Sequence, residues 1–71
     1  MKTEIPFSEV MNHFDSYVEN WLIINFVCNP NREPHKLVRQ DKSTNSLIFE
    51  YDDLLFTISS NEVDGFELFE D

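Results

Sequence analysis

The chain has 71 residues, five Lys or Arg against 14 Asp or Glu, a formal net charge of −9 and a single cysteine. That length gives one domain, 1–71, near the lower limit for folding without a disulfide or metal, and the lone Cys28 excludes an internally stapled fold. The acidic balance argues against nucleic acid or an anionic membrane as a direct ligand.

The helical period is the first pattern along the chain. Phe7, Val10, Met11, Phe14, Tyr17, Val18, Trp21 and Leu22 recur at spacings of three and four, which predicts a helix over 8–19. Ser8 is its expected N-cap, Glu9 suits the positive end of the dipole, and Asn20 is expected to end it in a left-handed conformation.

From Trp21 to Cys28 the residues become β-branched and aromatic, favouring a strand. Leu22, Ile24, Phe26 and Cys28 would line one face, and Trp21, Ile23, Asn25 and Val27 the other. Two largely apolar faces suggest a central strand or one covered on both sides. A single helix reaching residue 28 is the competing reading. At eight residues, interrupted by Asn25, the run is too short to cross a membrane.

Asn29 to Pro34 reads as a loop, His35 to Asp41 as a short polar strand suited to an edge, and Lys42 to Asn45 as its turn. Ser46–Tyr51 and Leu54–Ser59 are strands, with Asp52-Asp53 as the tight turn between them. Ser60 to Gly65 is a loop, and Phe66 to Phe69 a last short strand or turn of helix. The expected class is α+β: one N-terminal helix packed on an antiparallel meander of three to five strands. Its radius of gyration should be roughly 11 Å.

No constellation specifies a reaction, a cofactor or a metal, so the chain reads as non-enzymatic. Asp52 and Asp53 are better explained by a turn than by a carboxylate pair for acid–base work. His13 has Glu9 one helical turn before it, and His35, where the loop passes into the next strand, reads like it as a surface residue. Cys28 has no Cys or His at ligand spacing and reads as a small buried hydrophobe. Setting Gly65 at the sixth position of a calcium loop places Glu62, Asp64 and Asp71 at ligand positions. Ser60 then stands where Asp belongs, and Glu67 where an apolar residue belongs. The bases Arg32, Lys36, Arg39 and Lys42 are interleaved with Glu33 and Asp41 and lack an aromatic stacking platform, so pairing with neighbouring acids explains them better than an anion site.

Charge distribution carries the functional signal. Beyond Lys42 the chain has eight carboxylates and no Lys or Arg. Glu50, Asp52, Asp53, Glu62, Asp64, Glu67, Glu70 and Asp71 alternate with Phe49, Tyr51, Phe56, Phe66 and Phe69. Solubility explains a net charge, but mixed signs would serve it as well. Self-repulsion destabilises the compact state, so a basic partner is the natural explanation for the clustering. These eight acids are the expected partner-binding residues.

In size, charge and lack of catalytic motifs the chain resembles the small acidic proteins with which bacteriophages block host restriction, CRISPR or other nucleic-acid enzymes. The resemblance implies an inhibitor acting in the cytoplasm, its carboxylates standing in for phosphates in a basic groove. An immunity protein or antitoxin is physically almost the same proposal. The alternative of another class is a structural or adaptor subunit that homodimerises through Trp21, Ile23 and Val27. The peptide Met-Lys-Thr-Glu-Ile-Pro has no apolar signal-peptide core, in keeping with a cytoplasmic expectation.

Overall fold

A computed structural model describes residues 4–28 and 33–69. Two short helices, α1 (Phe7–Asn12) and α2 (Phe14–Tyr17), precede five strands. These are β1 (Trp21–Phe26), β2 (Pro34–Asp41), β3 (Ser46–Tyr51), β4 (Leu54–Ser59) and β5 (Val63–Leu68). All pairings are antiparallel, in the order β4-β3-β2-β1-β5. The α+β class is as expected, and the radius of gyration is 11.0 Å.

The expected single helix is broken at His13, whose backbone leaves the helical region (φ −124°, ψ 42°). Asn12 to Ser16 is a run of weak helix formers, so propensity does not resist the break. The bend keeps Phe14 and Tyr17 against the core while turning the chain toward β1. Pro6, rather than Ser8, occupies the N-cap position. At the far end Glu19, not Asn20, is left-handed (φ 70°). The ladder with β2 accounts for that shift: the Glu19 N–H donates to the Leu37 carbonyl (2.8 Å), and the Leu37 N–H donates to that of Asn20 (3.1 Å). Asn20 is therefore already bonded to β2 before β1 begins.

Residues 21–26 form a strand, and Leu22 and Ile24 are buried on the predicted face. Cys28 lies beyond the strand and is exposed, contrary to the expectation of burial. His35–Asp41 was expected at an edge but lies in β2, the middle strand. Its polar residues Lys36 and Arg39 are accommodated because the outer face of the sheet carries no helix, not because the strand is peripheral. His35 is accordingly not a surface residue: it is buried in β2 and stacks on Tyr51 at 4.6 Å.

The two outermost strands, β4 and β5, are joined by Ser60–Glu62 alone, a single 3₁₀ turn. Such a link reaches about 14 Å, whereas four strand spacings in a flat sheet come to about 19 Å. The sheet must therefore curl into a partly closed barrel. Two bulges supply curvature: Val38 is inserted opposite β3, and Asp64 opposite β1. Inside, Phe49 of β3 and Phe66 of β5 meet at 5.5 Å although two strands lie between them. Phe7 of α1 reaches the same ring at 6.0 Å, so the helix plugs one end of the interior. Val10, Leu22, Ile24, Leu37, Leu47, Ile58 and Val63 complete this core.

The outer edge of β5 is partly covered. Ile5 exchanges two backbone hydrogen bonds with Phe66 (2.6 and 2.8 Å), laying the N-terminal segment alongside. Gly65 makes room for it: a Cβ there would stand 2.8 Å from the Ile5 carbonyl oxygen and 2.6 Å from Glu4 Cγ. Gly65→Val is therefore expected to peel residues 4 and 5 from β5. Amide exchange at Ile5 and Phe66 should quicken while the β3–β4 amides stay protected. Unchanged protection at Phe66 would contradict the strap.

Candidate functional site

The β3–β4 hairpin combines negative charge with exposed apolar surface. Tyr51 pairs with Leu54 and Phe49 with Phe56, leaving Asp52-Asp53 as a two-residue turn. Both aspartates are left-handed (φ 54° and 64°), as a type I′ turn requires. The backbone thus fixes two exposed carboxylates at a rigid tip.

A third acid joins them. The Tyr51 hydroxyl donates to the Glu33 carboxylate, bringing the start of β2 to the tip. That bond, followed by burial and the negative charges of Glu33 and Asp52, holds the Tyr51 hydroxyl above its ordinary pKa. Beneath the tip, His35 Nδ1 lies 2.9 Å from the Glu33 carbonyl oxygen, and the ring sits between Tyr51 and Phe56. The hairpin is anchored from below by stacked rings.

Beside the acids, β4 exposes Leu54 and Leu55 (59% each) and Phe56 (37%). Sequence reading assigned the strand correctly and missed this exposure. Its trace in the sequence is the unbroken Leu-Leu-Phe, an apolar triplet in a strand that has a charged turn at one end and a polar one at the other. Glu33 was likewise missed, because only the fold brings it to the hairpin.

The other predicted acids do not gather into a single rim. Six residues of β4, about 20 Å of strand, separate Asp52-Asp53 from Glu62 and Asp64. Glu50 lies on the outer face, opposite Lys36 in the register. Lys36 itself makes an ion pair with Glu19 at 3.4 Å. Glu67 accepts a hydrogen bond from Asn25 Nδ2 (3.1 Å), which also donates to Glu4 (2.8 Å). Glu70, Asp71 and Arg32 lie outside the described residues.

Glu62 has a local structural duty. One of its carboxylate oxygens accepts from the Ser59 N–H (2.9 Å) and the Ser59 hydroxyl (2.8 Å), closing a capping box over the 3₁₀ turn. The backbone bond first, and the hydroxyl second, hold this carboxyl below its ordinary pKa of 4.5. A depressed folded pKa contributes stability that is fully present above 4.5 and lost as pH falls through the folded value. Glu62→Ala should thus cost roughly 0.5–1 kcal/mol at pH 7, the low end for an exposed cap. The difference from wild type should close in acid, as read from urea midpoints at pH 7 and pH 3. An equal difference at both would assign the loss to something other than the ionised cap.

Trp21, Ile23 and Val27 fall on or beside the uncovered outer face. Trp21 borders a groove of about 460 Å³ shared with Glu19, Asn20, Pro34, Leu68 and Phe69. His13 is exposed, with Nδ1 3.4 Å from a Glu9 carboxylate oxygen. Among the described residues, no group of three His, Cys, Asp or Glu converges as metal ligands do. Nor is any helix among them long and apolar enough to cross a membrane. Comparison with family models, curated proteins and solved structures finds no match for this chain.

Proposed function

We propose that this protein is a non-enzymatic inhibitor that binds a basic, nucleic-acid-binding surface of a partner protein. The observation that carries this reading is the β3–β4 hairpin. Asp52 and Asp53 are fixed at its tip by their left-handed backbone, with exposed Leu54, Leu55 and Phe56 immediately beside them. Carboxylates on a rigid turn lose little freedom on docking against Lys or Arg, and the apolar neighbours add contact area that phosphates lack. With no Lys or Arg beyond residue 42, the hairpin contributes no cation of its own to compete with a basic partner. The partner is a basic protein, such as a restriction, CRISPR or other nucleic-acid enzyme, met in the cytoplasm of a phage-infected cell. An immunity or antitoxin role uses the same chemistry.

The test is capture on the immobilised protein from nuclease-treated bacterial lysate, followed by a salt gradient and mass identification. A nucleic-acid enzyme released at moderate salt, whose activity the free protein blocks, would support the proposal. Recovery of salt-resistant copies of the chain alone would favour a homodimeric subunit. The Trp21, Leu68 and Phe69 groove is the observation on which that second reading rests.

A further inference from the structure

The two edges of the open barrel are treated differently. That of β5 is strapped by Ile5, whereas among the described residues nothing pairs with the outer edge of β4. Natural proteins usually protect a sheet edge with charge, proline or a bulge. Leu54-Leu-Phe-Thr-Ile-Ser59 has none of these.

The register identifies the groups on offer. Tyr51 and Leu54 close a two-residue hairpin, so they form a hydrogen-bonded pair, as do the alternate pairs Phe49–Phe56 and Leu47–Ile58. Leu55, Thr57 and Ser59 therefore turn their backbone N–H and C=O groups away from β3. Ser59 N–H is already taken by Glu62, consistent with this alternation. Leu55 and Thr57 remain, with two donors and two acceptors.

We infer that this edge receives an extended strand of the partner, apolar at its centre and flanked at both ends by Lys or Arg. The inference rests on the proposed function and names its docking mode. Charge complementarity selects the occupant. Asp52 and Asp53 stand at one end of β4, and Glu62 and Asp64 follow the other, so basic flanks meet carboxylates at both ends. A second copy of the chain would bring its own −9 to the same edge. Main-chain pairing supplies register and a basic strand supplies the affinity, while Leu55 and Thr57 on one face and Leu54 and Phe56 on the other sort side chains.

The probe is a nine-residue peptide, Lys-Lys-Val-Thr-Val-Thr-Val-Lys-Lys, with a control carrying Pro at the central Val. Amide exchange of the whole protein is followed by NMR with each. The expected result is slowing at Leu55 and Thr57 by at least tenfold with the probe and none with the control. Thr57→Pro removes an outward N–H without touching the β3 ladder, so the edge tolerates it. That variant should keep its circular dichroism spectrum and lose at least tenfold in probe affinity. A second variant, Leu55→Lys, repels the basic flanks without altering the backbone and guards against misfolding of the first. Equal binding of probe and Pro control, with the two amides still exchanging fast, would overturn strand addition and leave charge-driven binding standing. No probe binding at millimolar concentration would overturn it as well, leaving capture of a basic enzyme to be judged separately. Amides protected without peptide, increasingly so with protein concentration, would assign the edge to a second copy and overturn it too.

Discussion

Exchanging Asp52-Asp53 for Asn-Gly should yield a more stable protein that has lost its partner. Both positions are left-handed, a conformation that costs an ordinary L-residue about 1–2 kcal/mol. Asn and Gly are the preferred pair in a type I′ turn, and the exchange also removes two adjacent like charges. A gain of about 1 kcal/mol is expected, which in a domain of this size raises Tm by roughly 4–8 °C. Binding should move the other way. Losing two charge-assisted contacts at roughly 1.5–3 kcal/mol each would weaken the complex by about 100-fold or more. Because the fold gains while binding falls, unfolding cannot explain the loss. A raised Tm with undiminished inhibition would place the interface elsewhere.

Phe49→Ala should unfold the protein. Its ring is fully buried where β3 and β5 meet, against Phe66. Truncating a buried Phe typically costs 3–5 kcal/mol, and a single small core seldom supplies more than that. Neighbours cannot easily collapse into the gap, because the barrel wall behind it is a hydrogen-bonded ladder. Loss of near-UV circular dichroism and of NMR dispersion at 25 °C is expected. Phe56→Ala, on the same face of the adjacent strand but more than one-third exposed, is the control and should remain folded. A cooperative urea transition for Phe49→Ala with an unshifted midpoint would refute this account of the core.

Much of this architecture was legible because burial in strands follows a period of two. Leu47 and Phe49 against Ile48 and Glu50, and Leu22 and Ile24 against Ile23 and Asn25, separated into faces as the sequence pattern requires. Asp52-Asp53 was recognisable as a turn from two strands of equal length around it. What failed was non-local. His35 seemed peripheral because β2 is polar, yet a middle strand tolerates Lys36 and Arg39 when one sheet face is uncovered. The break at His13 depends on packing that periodicity cannot register. For the candidate site, the charge asymmetry was visible, but its division between the two ends of β4 was not. Only the barrel's curvature and the length of β4 determine which acids are neighbours.

The 3₁₀ turn between β4 and β5 also bears on the order of events during synthesis. Leu22 finds its β5 partner in Leu68, so one side of β1 stays unpaired until nearly the whole barrel has been translated. The β3–β4 hairpin, made of near neighbours, can assemble long before. Folding should consequently be limited by the last strand's arrival, with a transition state in which the hairpin is formed and the β1–β5 ladder is not. Until then the nascent chain exposes two bare edges, a window in which a chaperone or an unwanted strand competes with β5 for the same backbone.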